Sequence, residues 1–216
     1  NKYSVELIAG KGIEKVEGEK EYYYEAEVII NAKAKDGYEW NSWENDGQEV
    51  SKDQNYTFSM PAENVELIAK ADAIEYTINY ELNGGEVRTE NPVNYTVETE
   101  NFTLNNPEKL GYTFVGWTGS NGETAEKEVT IEKGSTGNKE YIANWKVGEY
   151  TITYDPAEGT VNPTSTIANY NEPITMPTPE RNYTVSYNTN GGSNVEEAIV
   201  IYGFEGWYTE KVLGEK

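Results

Sequence analysis

The chain predicts a mainly β protein built as a tandem array of small β-sheet units, and three features of its 216 residues carry that reading. A segment recurs at a fixed distance. Gly37-Tyr38-Glu39-Trp40-Asn41-Ser42-Trp43 returns as Gly111-Tyr112-Thr113-Phe114-Val115-Gly116-Trp117, and Ile68-Ala69-Lys70-Ala71 returns as Ile142-Ala143-Asn144-Trp145, both 74 positions on. Two markers sharing one offset mean that a unit of about 70 residues has been duplicated. Next, Tyr76-Thr77-Ile78-Asn79-Tyr80, Tyr150-Thr151-Ile152-Thr153-Tyr154 and Tyr183-Thr184-Val185-Ser186-Tyr187 alternate larger apolar or aromatic residues with small polar ones, the period of a strand with one buried face. Finally, 18 Tyr and 20 Gly, with many Thr and Val, favour short strands and tight turns over helices.

Taken in order, residues 1–73 form the first unit. Tyr22-Tyr23-Tyr24 reads as two rings in a core and one at the surface. In the 37–43 segment, Tyr38, Trp40 and Trp43 cannot share one face by strict alternation, so burying all three requires a bend or bulge. Gly116, directly before Trp117 in the second copy, permits such a bend or the close approach of another backbone. Trp43, Trp117 and Trp207 are expected as core anchors, because a small unit has little interior and one buried aromatic contributes roughly 150–250 Å². The alternative is an exposed sugar-stacking platform. Asn45-Asp46-Gly47, flanked by Glu44 and Glu49, lacks the alternating acids of a calcium loop and reads as a hairpin turn. Pro61 followed by acids suits a helix start. Val65, Leu67 and Ala69 nevertheless alternate with period 2, and the aligned 140–145 stretch has the Ile and Trp of a closing strand, so both are read as strands.

The second unit, residues 74–147, opens with the first Tyr-rich strand and breaks at Asn83-Gly84-Gly85, whose residues accept positive φ. The third, residues 148–216, opens at Tyr150 and breaks more loosely at Asp155-Pro156-Ala157-Glu158-Gly159. It then detours through a further strand at 183–187, an Asn190-Gly191-Gly192 turn and a return over 198–202 that predicts an inserted hairpin. Spacing from the second unit places a closing strand near position 235, beyond Lys216, so the third unit is expected to be C-terminally truncated. Residues 203–213 would then offer an edge that is less ordered or pairs with a neighbour.

Composition narrows the chemistry. The net charge of −21 is spread over the units as −8, −6 and −7, which opposes nucleic acid and anionic membrane surfaces as partners. Cys and His are both absent, removing disulfides, thiol nucleophiles, imidazole catalysis and Cys or His metal sites. Nothing points to a cofactor or a metal. No run of about 18 apolar residues exists to insert in a membrane, and the start at Asn1 suggests a segment of something longer. Asn55, Asn94, Asn101 and Asn182 sit in glycosylation-type triplets that arise readily in Thr-rich strands. An internal isopeptide crosslink would need a buried Lys beside Asn or Glu.

The order Tyr-x-Ile-x-Tyr, Asn-Gly-Gly, Pro107, Gly111-Tyr112-x-Phe114-x-Gly116-Trp117 and Ile142-Ala143-Asn144-Trp145 resembles the internalin B-repeat family, also called the Listeria/Bacteroides repeat. Tyr56-Thr57-Phe58-Ser59-Met60-Pro61 with Val65-Glu66-Leu67 is similar to its divergent relatives, although the first unit's opening lacks Asn-Gly-Gly. The resemblance implies a small β-grasp-like unit, with an α+β variant of it open, in secreted or wall-attached bacterial proteins, and no catalytic residues to carry over. The expectation is therefore a non-enzymatic, elongated array at the cell surface, acting as a stalk and contributing to adhesion. It would be a monomer in solution with a protein or glycan ligand and no assigned binding residues. A carbohydrate-binding module is the alternative; a glycosidase would need two acids about 5–9 Å apart across a cleft.

Overall fold

The structure is a computed structural model that describes residues 1–185, 198–201 and 203–207. It contains no helix among those residues, and it divides into two bodies, Asn1–Lys146 and Val147–Lys216.

In the first body, strands β1 (Lys2–Ala9), β2 (Ile13–Glu17), β3 (Lys20–Tyr23), β4 (Glu27–Ala34), β5 (Tyr38–Asn45), β6 (Gln48–Ser51), β7 (Asn55–Ser59) and β8 (Val65–Ala73) make two facing layers. One is a five-stranded sheet in the order β3-β1-β8-β5-β6, the other a three-stranded sheet β2-β4-β7. The first and last strands lie parallel at the centre of the larger sheet, Val5 opposite Val65 through Ala9 opposite Ala69. That central pairing is the β-grasp arrangement, with the smaller sheet standing where a helix would pack. Period-2 alternation does the sorting: Val5 and Leu7, Val28, Ile30 and Ala32, and Leu67 and Ala69 face inward while their neighbours face out. The 65–69 stretch is thus a strand, as its alternation predicts.

The same plan recurs in β9 (Tyr76–Glu81), β10 (Asn94–Tyr95), β11 (Phe102–Thr103), β12 (Tyr112–Gly119), β13 (Gly122–Glu126), β14 (Thr130–Ile131) and β15 (Lys139–Val147). The sheet order is β10-β9-β15-β12-β13, with β9 and β15 parallel and β11 paired to β14 below it. Equivalent positions can be read from the registers. Tyr3 opposite Tyr22 matches Tyr76 opposite Tyr95, and Ile13 opposite Ala34 matches the bridge of Glu86 with Glu108. The missing Asn-Gly-Gly of the first copy is replaced by Gly10-Lys11-Gly12.

Each copy closes on its own apolar cluster around one indole. Trp43 and Trp117 are fully buried, and their ring N–H groups donate to Gln54 O at 3.2 Å and Asn106 Oδ1 at 3.0 Å. The required irregularity is present: the register of β5 against β8 slips between Trp40 and Ser42, so Ser42 and Trp43 are both buried although adjacent. In β12 the work falls to Gly116, at φ 150°, where a Cβ would lie 2.6 Å from the backbone nitrogen of Glu126. The turn at Asn45-Asp46-Gly47 is the expected β5 to β6 hairpin, with Asp46 and Gly47 both at positive φ.

The tyrosine triple corrects the sequence reading. Tyr22 is buried; Tyr23, its neighbour in β3, faces out and is 66% exposed, and Tyr24 is 52% exposed because β3 ends at Tyr23 and the chain turns through Glu25 at φ 63°. One ring is in the core and two are outside.

In the second body, β16 (Glu149–Thr153) pairs antiparallel with β17 (Ser165–Asn169), and β18 (Asn182–Val185) with β19 (Ala198–Ile201). The second pair falls where the sequence predicts an inserted hairpin; the Asn190 turn lies outside the described residues, as do 208–213 of the expected open edge. Trp207 departs from its expected role. It is only partly buried, with its ring N–H on Pro177 O at 2.9 Å and its ring 5.2 Å from that of Tyr154. Residues 203–207 are not strand, whereas Trp43 lies within β5.

Candidate functional site

Two features of the first body stand out, a joint between the copies and a groove on the second. At the joint, the turn after β10 is fixed by hydroxyl contacts: Thr96 N donates to Thr99 Oγ1 and Glu98 N to Thr96 Oγ1, at 3.0 and 3.1 Å. This presents Val97 and Glu98 to the first copy. The Glu98 carboxylate accepts from Lys11 Nζ at 2.6 Å and from the Tyr38 hydroxyl at 2.9 Å. Val97, 8% exposed, packs against Gly37, where a Cβ would meet Val97 Cγ1 at 2.0 Å. Ile74 N, in the link between copies, donates to Gly37 O at 2.9 Å. Charge follows geometry. Hydrogen bonds from Lys11 and then Tyr38 hold the Glu98 carboxyl below its ordinary range, while the bond to Glu98 raises both Lys11 and Tyr38.

The groove, about 880 Å³, lies on the second copy between the Gly84 turn and the start of β12. Its walls include Arg88, Lys109, Leu110, Tyr112, Phe114 and Trp145. Trp145 is seated by its ring N–H on Leu82 O at 3.0 Å, and Gly85 makes room for it, since a Cβ there would touch the indole at 2.4 Å. Lys109 Nζ donates to Asn83 O at 2.8 Å and stands 4.2 Å from the Tyr112 ring centre and 5.9 Å from that of Trp145. Arg88 donates to Glu108 through Nη2 at 2.7 Å. Leu110 is 82% exposed.

With two copies of one aromatic-centred β plan in view, comparison with known families decides the type. Residues 3–75 match the Divergent InlB B-repeat domain, and residues 76–143 match the Listeria-Bacteroides repeat domain. The first two repeats belong to these families. A protein of Evansella cellulosilytica named as a Gly-rich membrane protein is 28% identical to this chain over 89% of its length, which is 29% of the relative. Another from the same organism, named as a membrane protein, is 28% identical over 67% of this chain and 21% of itself. The chain therefore spans less than a third of either relative. No solved structure gives a significant match.

The divergent InlB B-repeat and the Listeria-Bacteroides repeat both bury the tryptophan that sequence alone left open to a sugar-binding reading. Trp43 and Trp117 are 0% exposed and cannot stack on a glycan. In the groove, a lysine already stands over the rings of Tyr112 and Trp145. Among the described residues the buried polar or charged side chain is Ser42, so no buried Lys meets the requirement for an isopeptide crosslink. The sequence did not single out Glu98, Lys11 or Tyr38 as a set. Tyr38 and Glu98 are 60 residues apart and Glu98 is one acid among 38 Asp and Glu; the only advance signal was the glycine before Tyr38.

Proposed function

We propose that this chain is a non-catalytic spacer in a secreted or surface-attached bacterial protein, holding an adhesive or receptor-contacting part of that protein away from the cell. The observation that carries this reading is the joint: Glu98, Val97 and the Ile74 link fasten the first repeat to the second without merging their cores. A fastened joint between separately closed units transmits orientation along an array, which is what a stalk needs and what a catalytic cleft does not. The family assignment and the relatives' membrane-protein names support an extracellular setting. Small-angle scattering tests it. Three units in line have an Rg of about 26 Å, whereas one merged globule of this length has about 17 Å. A value at the lower figure would reject the spacer role.

A further inference from the structure

The smaller sheet of the first repeat ends in an open edge. β7 pairs with β4 on one side and is the last strand in the order β2-β4-β7. One bond fixes which of its backbone groups point outward. Met60 N donates to Ala26 O at 2.9 Å, continuing the register in which Phe58 faces Val28 and Tyr56 faces Ile30. Antiparallel alternation then turns the N–H and C=O of Tyr56 and Phe58 toward β4, and those of Asn55, Thr57 and Ser59 away from it. Among the described residues nothing bonds to these outward groups.

The residue pattern leaves this edge unguarded. Elsewhere in the first body the edge strands of four or more residues carry charge, as at Glu14 and Lys15 in β2, Lys20 in β3, Glu49 in β6 and Glu123 in β13, which discourages a further strand from adding. β7 carries none, and no charged residue occurs from Gln54 to Ala62. A cavity of about 280 Å³ lies between β7 and the larger sheet, walled by Tyr56, Phe58, Val50, Val65 and Leu67. Tyr56 and Phe58 are half-buried there, with ring centres 5.3 Å apart, whereas Ile131 in the corresponding strand of the second repeat is buried.

The strand is matched to itself. Asn55-Tyr56-Thr57-Phe58-Ser59 has the same order of polar, aromatic, threonine, aromatic and polar in both directions. An antiparallel copy centred on Thr57 therefore sets each Tyr56 opposite a Phe58 on the inner face, beside the cavity, and threonine opposite threonine on the outer face. The outward groups of residues 55, 57 and 59 in the two copies supply about six backbone hydrogen bonds. Charge agrees at the ends. Lys52 precedes the strand and Glu63 follows it, so the two-fold brings each lysine to the other copy's glutamate, while Asp53 comes opposite the uncharged Pro61. Glu63 has no ion pair among the described residues, and the pair Lys52 makes with Glu49 is exposed and spans 3.9 Å.

We propose that β7 is a two-fold pairing site for β7 of a second copy of this chain, joining two three-stranded sheets into one. Such a contact is isologous and closes at two copies. A five-residue edge buries less than the roughly 1,000 Å² of a stable interface, so the pair forms at high local concentration and separates on dilution.

The test is a concentration series of the full chain, followed by amide NMR and sedimentation. The amides of Asn55, Thr57 and Ser59 should shift and gain exchange protection with concentration, while those of Tyr56 and Phe58, already bonded to β4, stay protected throughout. Thr57 is exposed, so Thr57→Lys and Thr57→Glu should keep the parent's thermal midpoint. Each sets like charges against one another across the two-fold and should weaken self-association at least about tenfold. An equimolar mixture of the two variants should restore it. Concentration-independent amides at 55, 57 and 59, self-association unaffected by either variant, or a mixture no tighter than each variant alone would overturn the proposal.

Discussion

Trp43 and Trp117 occupy the same place in two separate clusters, and each has its indole N–H satisfied inside that cluster. Truncating a buried indole removes its apolar contacts and leaves a cavity, so Trp117→Ala should cost about 3–5 kcal/mol. Because the first cluster does not share that side chain, urea unfolding followed by the remaining tryptophans should show an early transition for the second repeat and an almost unchanged one for the first. A single transition shifted as a whole would mean the cores are coupled. Gly116 gives a second residue-level expectation. A methyl there meets the backbone of Glu126 at 2.6 Å, an obstruction that cannot swing away, so Gly116→Ala should lose about 1–3 kcal/mol. Gly122, at φ 115° with nothing within 4 Å of its would-be Cβ, should lose only about 1 kcal/mol from backbone strain on the same change. Equal losses in thermal denaturation would show that sterics do not distinguish the two sites.

At the scale of elements, the strands announced themselves because one-sided burial imposes alternation. Val65, Leu67 and Ala69 were legible as a strand despite Pro61 and its acids, since a helix would have scattered them around its axis. The slip in β5 was legible as well: three aromatics at 38, 40 and 43 cannot all face inward without one. What the local pattern could not reveal was where a strand stops. Tyr22, Tyr23 and Tyr24 look alike in composition; alternation in β3 puts Tyr23 outside, and the turn through Glu25 that keeps Tyr24 from returning to the core is set by hydrogen bonds to Asn1 and Met60, distant in sequence. Nor could it reveal that β2, β4 and β7 form a second layer, since that is a matter of pairing and not of periodicity. The joint is an element-level contact of the same hidden kind. Gly37→Ala should pry it open, because the added carbon falls 2.0 Å from Val97 Cγ1. Hydrogen exchange should then quicken at Ile74 N, whose acceptor is Gly37 O, while core amides such as those of Ile30 and Ala143 stay protected. Unchanged exchange at Ile74 would deny the joint its role.

For the molecule as a whole, the joint makes the coupling of the first two repeats sensitive to pH. Glu98 is held below the usual carboxylate range when docked, so its contribution is complete above about pH 4 and is lost as the pH falls through the depressed value. Lys11 and Tyr38 are raised, so theirs is complete below their usual ranges and is lost as the pH rises through the raised values. Residual dipolar couplings of the two repeats should therefore fit one alignment tensor near neutrality and two in strong acid, and Glu98→Gln should flatten the acid limb. A single tensor throughout would rule out the carboxylate as the fastener. The parallel centre of each sheet bears on a different circumstance, that of a chain drawn taut. In both repeats the entering strand lies alongside the leaving one and runs the same way, with five residues of β1 from Val5 to Ala9 facing five of β8. Tension applied at the two ends of such a unit slides these strands past each other. All the bonds between them must then fail together, in shear, whereas an antiparallel hairpin would unzip them one after another.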